Sequence, residues 1–187
     1  MRLVKDRHVV VGADFAGFPL KEAVKKHLEE RGWTVEDVTP SKDDTPMYHR
    51  VGFMLGSKIA EREYEKALAF CGSGMGIHIA ASKCPHVHAA VCESVPAAKR
   101  ASTANNANLL AMGGFFIAPR LGKAMADAFL DNAFGAGYED WDGFEEYHRI
   151  GYDECEGFDY EAYRANGYSV PHPREAALGP EPRGLAF

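Results

Sequence analysis

Strand-like and helix-like segments alternate along residues 1–136, and this alternation limits the possible folds more than any other feature. Each short run of β-branched or small apolar residues precedes a segment with apolar residues at helical spacing, as in Leu20, Val24 and Leu28. The strand-like runs are residues 9–12, 33–38, 67–70, 88–92 and 109–112. Repetition of this strand-then-helix order predicts an α/β fold, a doubly wound sheet of five parallel strands with helices on both faces.

Composition and charge exclude several classes of protein. Of 187 residues, 46% are hydrophobic and 26% are charged, which is typical of a soluble chain with one main domain. A net charge of −6, with Lys and Arg scattered among acids, argues against nucleic acid as a partner. The sequence has no long apolar segment, and its four cysteines lack the spacing of a zinc site or a disulfide framework. We therefore predict a cytoplasmic protein with no membrane partner and no metal.

A glycine-rich run, Cys71-Gly72-Ser73-Gly74-Met75-Gly76, links the third strand-like run to a helical segment. Its glycines allow a tight turn that directs successive N–H groups at one small oxygen, beside a helix N-terminus. A thiol at this position can be activated as a thiolate. The alternative is a structural turn with a buried cysteine, since free cysteine often behaves as a small core residue.

Other polar or glycine residues follow the ends of neighbouring strands. Asp14 follows the first run, and Gly113-Gly114 follows the fifth. The carboxyl ends of parallel strands share one edge of the sheet, so these residues should gather beside Cys71. Asp14 has an ordinary alternative role as a helix N-cap.

Three ordered motifs resemble the family of ribose-5-phosphate isomerase B and galactose-6-phosphate isomerase. They are residues 12–17 followed by Leu20-Lys21, residues 71–76 followed by residues 79–83, and residues 105–114. The resemblance covers roughly residues 8–137. It implies a Rossmann-like fold, a homodimer or dimer of dimers with active sites between subunits, and no cofactor. It also implies that the chain interconverts aldoses and ketoses through a cis-enediolate.

The resemblance also assigns roles to residues. Cys71 matches the general base, and Asp14 would bind a sugar hydroxyl and assist ring opening. Tyr48 would face the substrate, and Asn105 would reach the site of the neighbouring subunit. The remaining matches form the loop that holds the enediolate oxygen, with Ser73 as a catalytic donor beside Gly72, Gly74, Met75 and Gly76.

Departures from the family pattern concern the substrate. The family has histidines where this chain has Phe15 and Ala104, and phosphate-binding arginines where it has Phe115 and Tyr138. An aromatic ring cannot replace the bidentate contact of arginine with phosphate. We therefore expect a sugar, sugar acid or atypical sugar phosphate other than ribose 5-phosphate.

Polar residues near the expected site are candidates to replace the missing histidines and arginines. His49 adjoins Tyr48 and is a candidate substrate ligand, while Arg149 is a candidate anion contact. His86 and His88 are interpreted as surface or strand-packing residues, and His78 stays open.

Residues 137–187 leave the family pattern and form an aromatic-rich extension to the domain of residues 1–136. Disordered tails are usually poor in aromatic residues, so we expect the extension to pack. It is either an arm on the partner subunit or a lid over the active site. A short helix is expected around residues 160–165, and residues 171–187 are expected to be loosely ordered.

Three functions remain open on sequence grounds. The first is an aldose–ketose isomerase acting on a small carbohydrate, with Cys71 as its base. The second is a non-catalytic sugar-binding protein or the silent subunit of a mixed isomerase. The third is a thiol redox protein, which would need Cys84 or Cys92 to approach Cys71 in space.

Overall fold

The structure, a computed structural model, describes residues 6–169. The chain divides into two compact units, with the boundary between Ala136 and Gly137. The strands are β1 (His8–Ala13), β2 (Thr34–Asp37), β3 (Ala67–Cys71), β4 (Ala89–Val91) and β5 (Leu109–Gly113). The helices of the first unit are α1 (Phe18–Glu30), α2 (Tyr48–Ala60), α3 (Met75–Ala81), α4 (Val95–Thr103) and α5 (Pro119–Leu130), with a 3₁₀ turn at Lys42–Asp44.

The five strands form one parallel sheet in the order β2-β1-β3-β5-β4. This confirms the predicted doubly wound α/β fold. Strands β3 and β5 are buried along their whole length, and so is β1 after its first residue, because helices cover both faces of the sheet centre. The fully buried strand predicted at residues 88–92 is corrected: β4 is only half-buried because it lies at the sheet edge.

Two apolar layers hold helices against opposite faces of the sheet. Val9 and Val11 point into a layer with residues of α1 and α5, whereas Val10 points into a layer with residues of α2 and α3. This alternation follows from the two-residue period of a strand. The side chains of α1 and α5 in the first layer include Leu20, Val24, Leu28, Met125 and Phe129. Those of α2 and α3 in the second layer include Val51, Leu55, Ile59 and Ile77.

The apolar pattern of α3 does not place all its large residues in the core. Ile77 is fully buried, but Ile79 is 58% exposed. Residues two apart on a helix lie on nearly opposite sides, so Ile77 and Ile79 cannot both face the sheet. The outward side of α3 is therefore apolar.

The second unit contains α6 (Phe144–Glu156) and α7 (Tyr160–Ala165). The helix expected around residues 160–165 is present, and the Asp159 carboxylate caps it by accepting the Ala162 N–H at 2.7 Å. The longer α6 was not predicted. Around its start, the Tyr138 and Phe144 rings stack with centroids 3.7 Å apart, and Trp141 lies edge-on to Phe144. The expectation for residues 171–187 lies outside the described residues.

Within residues 6–169, the helices are too short or too polar to cross a membrane.

Candidate active site

The carboxyl ends of the three central strands meet at one edge of the sheet. Ala13 of β1 pairs with Phe70 of β3, and Cys71 of β3 pairs with Gly113 of β5. Asp14 and the loop of residues 72–74 therefore begin side by side. The chain turns toward opposite edges of the sheet after β1 and β3, and open α/β sheets bind ligands at such a switch point.

The thiol of Cys71 is held at the end of β3. Cys71 is 3% exposed, and its Sγ accepts the Gly74 N–H at 3.1 Å. Gly74 adopts a φ of +78°, a conformation that favours glycine, and it is the N-cap of α3. The turn therefore brings a backbone donor onto the sulfur.

The amides of the glycine-rich loop already have partners in part. Ser73 Oγ accepts the Met75 N–H at 3.3 Å, while Gly74 N–H is used by Cys71. Gly76 lies in the first turn of α3, where backbone N–H groups lack intrahelical acceptors. An oxyanion bound here would have to take the Gly74 and Met75 donors away from the thiol and the serine hydroxyl.

Asp14 lies beside the end of β3 because the backbone of residues 14–17 approaches Phe70 and Cys71 very closely. The Asp14 N–H donates to the Phe70 carbonyl at 3.1 Å. A Cβ placed on Gly17 would lie 2.4 Å from the Phe70 carbonyl carbon, so only glycine fits there. Asp14 Oδ1 accepts the Gly17 N–H at 2.9 Å. The N-cap of α1 is Gly17, so Asp14 supports the start of the helix without being its N-cap.

Two aromatic rings border the glycine-rich loop. A Cβ on Gly72 would lie 2.4 Å from the Phe115 ring, and one on Gly76 would lie 2.6 Å from the Tyr48 ring. Phe115 is nevertheless 73% exposed and Tyr48 41% exposed, so each ring covers glycine on one side and faces outward on the other. His49 lies edge-on to Tyr48 at 5.4 Å between ring centroids.

Phe15 forms a further apolar surface next to Asp14. Its ring is 67% exposed, and the Lys42 ammonium lies 5.3 Å from the ring centroid. The predicted residues Cys71–Gly76, Asp14, Phe115 and Tyr48 thus belong to one neighbourhood, joined by hydrogen bonds and close approaches.

One predicted residue of the first unit, Asn105, is not brought to this neighbourhood within one chain. Asn105 is exposed in the segment between α4 and β5. In the same segment the Asn108 carbonyl accepts the Ala67 N–H, at the amino ends of the strands. Cys71 lies at the carboxyl ends. Tyr138 and Arg149 belong to the second unit, where Tyr138 stacks on Phe144 and Arg149 pairs with Glu145.

The sequence did not reveal a buried polar network behind Asp14. Lys21 Nζ, fully buried, donates to Asp37 Oδ2 at 2.7 Å and to the Thr39 carbonyl at 2.6 Å. Thr39 Oγ1 accepts the Ala13 N–H at 2.8 Å. Lys21 belongs to the first motif, so the sequence marked this residue as part of the family pattern. Its buried partner Asp37, 16 residues away, is not visible in the sequence.

The Cys92 thiol is not a candidate nucleophile. Burial raises the pKa of the Cys92 thiol to about 11, so Cys92 is a poor nucleophile near neutral pH. All four cysteines are free thiols. Within residues 6–169 no group of three or more His, Cys, Asp or Glu side chains is arranged to hold a metal ion.

A thiol, a carboxylate and a glycine-rich loop at the switch point of a parallel sheet define an α/β enzyme that acts on a small ligand. Residues 9–141 match the family described as Ribose/Galactose Isomerase. The chain therefore belongs to the ribose/galactose isomerase family, and it is an aldose–ketose isomerase.

Curated relatives and solved structures agree with this assignment. The chain is 40% identical over 134 residues to 4-deoxy-4-sulfo-D-erythrose isomerase of Clostridium sp. (strain MSTE9), covering 71% of this chain and 84% of that protein. It is 33% identical over 130 residues to D-erythrulose-4-phosphate isomerase of Pectobacterium atrosepticum, covering 69% and 86%. Its fold resembles ribose-5-phosphate isomerase B of Clostridium thermocellum, with a TM-score of 0.71 and 26% identity over 87% of this chain and 99% of that one.

Proposed function

We propose that this isomerase acts on a four-carbon sugar with an anionic group at its far end, and that Cys71 is the general base. The observation that carries the proposal is the Phe115 ring lying against Gly72, where the family pattern has a phosphate-binding arginine. An aromatic ring there favours a shorter substrate and removes one bidentate phosphate contact. The two relatives named above act on four-carbon substrates with a sulfonate or a phosphate.

The proposed reaction moves one proton between two neighbouring carbons. The Cys71 thiolate takes the C2 proton of the open-chain aldose, and the electron pair forms the double bond of a cis-enediolate. The same thiol returns a proton to C1, while a proton moves from the C2 hydroxyl to the C1 oxygen. Asp14, beside the same loop, carries that hydroxyl proton, and Ser73 with the first amides of α3 holds the charged oxygen.

The substitutions around the site fit an open-chain substrate. A four-carbon aldose with a substituted C4 oxygen or carbon cannot close the usual ring through that position. A ring-opening histidine is then unnecessary, which agrees with Ala104 in its place. The Lys42 ammonium beside the Phe15 ring supplies a positive charge for the anionic end, and His49 beside Tyr48 supplies a further polar contact.

The proposed functional unit is a homodimer or a dimer of dimers with sites between subunits. Large apolar side chains are exposed on the outward sides of α2 and α3, which is unfavourable in an isolated monomer. They include Phe53, Met54, Met75 and Ile79. Asn105 would act in the partner's site, because in its own chain it lies at the other end of the sheet. The extension, with Tyr138 and Arg149, is proposed as an arm that wraps the partner.

Free thiols at all four cysteines suit a reducing compartment, so we place the enzyme in the cytoplasm.

Proton NMR in deuterated water tests the proposed reaction. Wild type and Cys71→Ala are incubated with D-erythrulose 4-phosphate, 4-deoxy-4-sulfo-D-erythrose, ribose 5-phosphate, galactose 6-phosphate and unphosphorylated tetroses. We expect wild type to exchange the carbon-bound proton of a four-carbon compound and Cys71→Ala to lose at least about a thousandfold in rate. Cys155→Ala, which removes an exposed thiol, should retain full activity.

Two results would contradict the proposal. Ordinary turnover of ribose 5-phosphate would refute the substrate class. Binding of a compound without any exchange would favour the non-catalytic sugar-binding alternative.

A further inference from the structure

The ammonium of Lys21 lies fully inside the first unit, where an unpaired charge would be very unfavourable. It contacts the Thr39 carbonyl at 2.6 Å, Asp37 Oδ2 at 2.7 Å and Glu22 Oε1 at 2.9 Å. The Phe18 ring centroid lies 4.0 Å away. Lys21 on α1 therefore fixes the chain segment that follows β2.

Asp37 at the end of β2 is the second member of this network. Its side chain is 5% exposed, and its Oδ2 also accepts from Lys25 at 3.0 Å. Its Oδ1 accepts the Thr39 N–H at 3.0 Å. Burial alone would raise the pKa of Asp37, but hydrogen bonds from Lys21, Lys25 and Thr39 outweigh it and lower the pKa. Asp37 is thus a carboxylate that holds Lys21 and Thr39 in one arrangement.

Thr39 connects this network to β1. Strand β2 ends at Asp37, so the Ala13 N–H has a side chain, Thr39 Oγ1, as its acceptor at 2.8 Å instead of strand backbone. Thr39 is 2% exposed, so water does not compete for this hydrogen bond. Ala13, whose N–H is bound by Thr39, immediately precedes Asp14 in the chain.

Asp14 is therefore held from several directions. Its own N–H is bound by Phe70 of β3, and its Oδ1 is bound by the Gly17 N–H. The Gly17 carbonyl in turn accepts the Lys21 N–H at 3.0 Å. Within residues 6–169, no hydrogen bond involves the other carboxylate oxygen, Oδ2.

We propose that Lys21, acting through Asp37 and Thr39, is a positioning residue that sets the orientation of the Asp14 carboxylate toward the substrate. The proposal rests on the proposed function for the role of Asp14. It differs from a purely structural role, in which the network would only join α1 to the sheet. A positioning role predicts that small local changes at Thr39 alter Asp14 without unfolding the protein.

Two pairs of variants separate these roles. Thr39→Val removes the acceptor of the Ala13 N–H at nearly constant volume, and Thr39→Ser retains a hydroxyl acceptor. Lys21→Met removes the buried ammonium. Lys66→Met is its matched control, because Lys66 is a second buried lysine, bound to Ser102 and to the Phe129 and Asn132 carbonyls at the amino end of β3.

The first measurement does not depend on any substrate. The Gly17 amide donates to Asp14, so its NMR chemical shift follows ionisation of Asp14 during an acid titration. We expect Thr39→Val and Lys21→Met to move the Gly17 shift and its titration midpoint, while Thr39→Ser and Lys66→Met match wild type. If Thr39→Val and Lys21→Met leave this titration as in wild type, the proposal is overturned.

The second measurement is turnover of the compound that wild type exchanges most rapidly. Misplacement of Asp14 by a fraction of an ångström to one ångström should lower kcat about tenfold to a hundredfold, with KM changed less than about twofold. Thr39→Ser should restore kcat, and Lys66→Met should keep it. If wild type turns over none of the compounds, the proposed function fails while the Gly17 titration still decides whether Lys21 positions Asp14.

Discussion

At the scale of single residues, the candidate site depends on backbone approaches that tolerate no side chain. Gly17 packs its Cα on the backbone of Phe70 and Cys71, and this contact holds Asp14 beside the end of β3. Gly113 also packs closely on backbone, since a Cβ there would lie 2.7 Å from the Ser73 carbonyl carbon. The neighbours are backbone atoms, of the buried end of β3 for Gly17 and of the glycine-rich loop for Gly113, and backbone cannot move aside as flexible side chains do.

Gly17→Ala tests this close approach. A Cβ 2.4 Å from the Phe70 carbonyl carbon must push the loop away from β3, so we expect a loss of about 1–3 kcal/mol in the free energy of unfolding. Urea denaturation followed by circular dichroism measures it. The control is Gly151→Ala, at an exposed helical position with nothing within 4 Å, which should be neutral or stabilising. Equal stability of Gly17→Ala and wild type would show that the loop can move aside.

At the scale of elements, a buried lysine joins three of them at the end of the sheet opposite the site. Lys66 is 1% exposed and lies just before β3. Its ammonium donates to Ser102 on α4 and to the Phe129 carbonyl on α5. Its third acceptor is the Asn132 carbonyl, just after α5. A cation at a helix C-terminus satisfies carbonyls that have no intrahelical donor. Burial lowers the pKa of Lys66 to about 8.

This lowered pKa predicts a stability difference between wild type and Lys66→Met that depends on pH. The unfolded chain binds more protons at this lysine between pH 8 and 10.5, so the contribution of Lys66 to the free energy of unfolding rises with pH there. From pH 7 to pH 10, the free energy of unfolding of wild type should rise by roughly 2 kcal/mol relative to that of Lys66→Met. Urea denaturation across this range measures the difference.

Lys58→Met is the control, because the pKa of Lys58 is shifted in the opposite direction to that of Lys66. Hydrogen bonds with Glu63 and Glu36 raise the pKa of Lys58, so its contribution is fully present below pH 10.5 and is lost only above that. The difference between wild type and Lys58→Met should stay level from pH 7 to 10. If the difference between wild type and Lys66→Met also stays level from pH 7 to 10, the folded protein stabilises the Lys66 ammonium as well as water does.

At the scale of the whole molecule, the first unit exposes apolar helix sides, and Asn105 lies away from Cys71. Phe53 on α2 is 44% exposed and Ile79 on α3 is 58% exposed. Asn105 lies at the amino end of the sheet. Burial of these helix sides against a second copy would remove the apolar exposure, and that assembly is part of the proposed function.

Phe53→Glu tests the helix surface. A charge there would have to be desolvated in a dimer, so we expect the variant to sediment as a monomer at micromolar concentrations at which wild type is a dimer or larger. Analytical ultracentrifugation measures this. Lys26→Glu, on the exposed side of α1, is the control and should keep the wild-type mass. A monomeric wild type would refute the proposed assembly.

Subunit complementation tests whether the site is shared. Cys71→Ala and Asn105→Ala should each be inactive, or at least tenfold less active, as homodimers. Mixed dimers place both substitutions in one site and leave the other site intact, so refolding the two variants together should restore activity to about a quarter of wild type. No restoration, with mixed dimers verified by mass spectrometry, would place Asn105 and Cys71 in the same subunit's site.

The sequence by itself determined the α/β fold, the sheet with helices on both faces, the family and the strand-end location of Cys71 and Asp14. Those features are encoded locally, in apolar periodicity and in glycines that follow strands. The tertiary structure decided the rest, because the relevant partners are distant in sequence. Thr39 meets the Ala13 N–H across 26 residues, and Gly17 meets the backbone of Phe70. The exposure of Ile79 and the edge position of β4 likewise depend on which elements pack beside them, and no local sequence pattern specifies those neighbours.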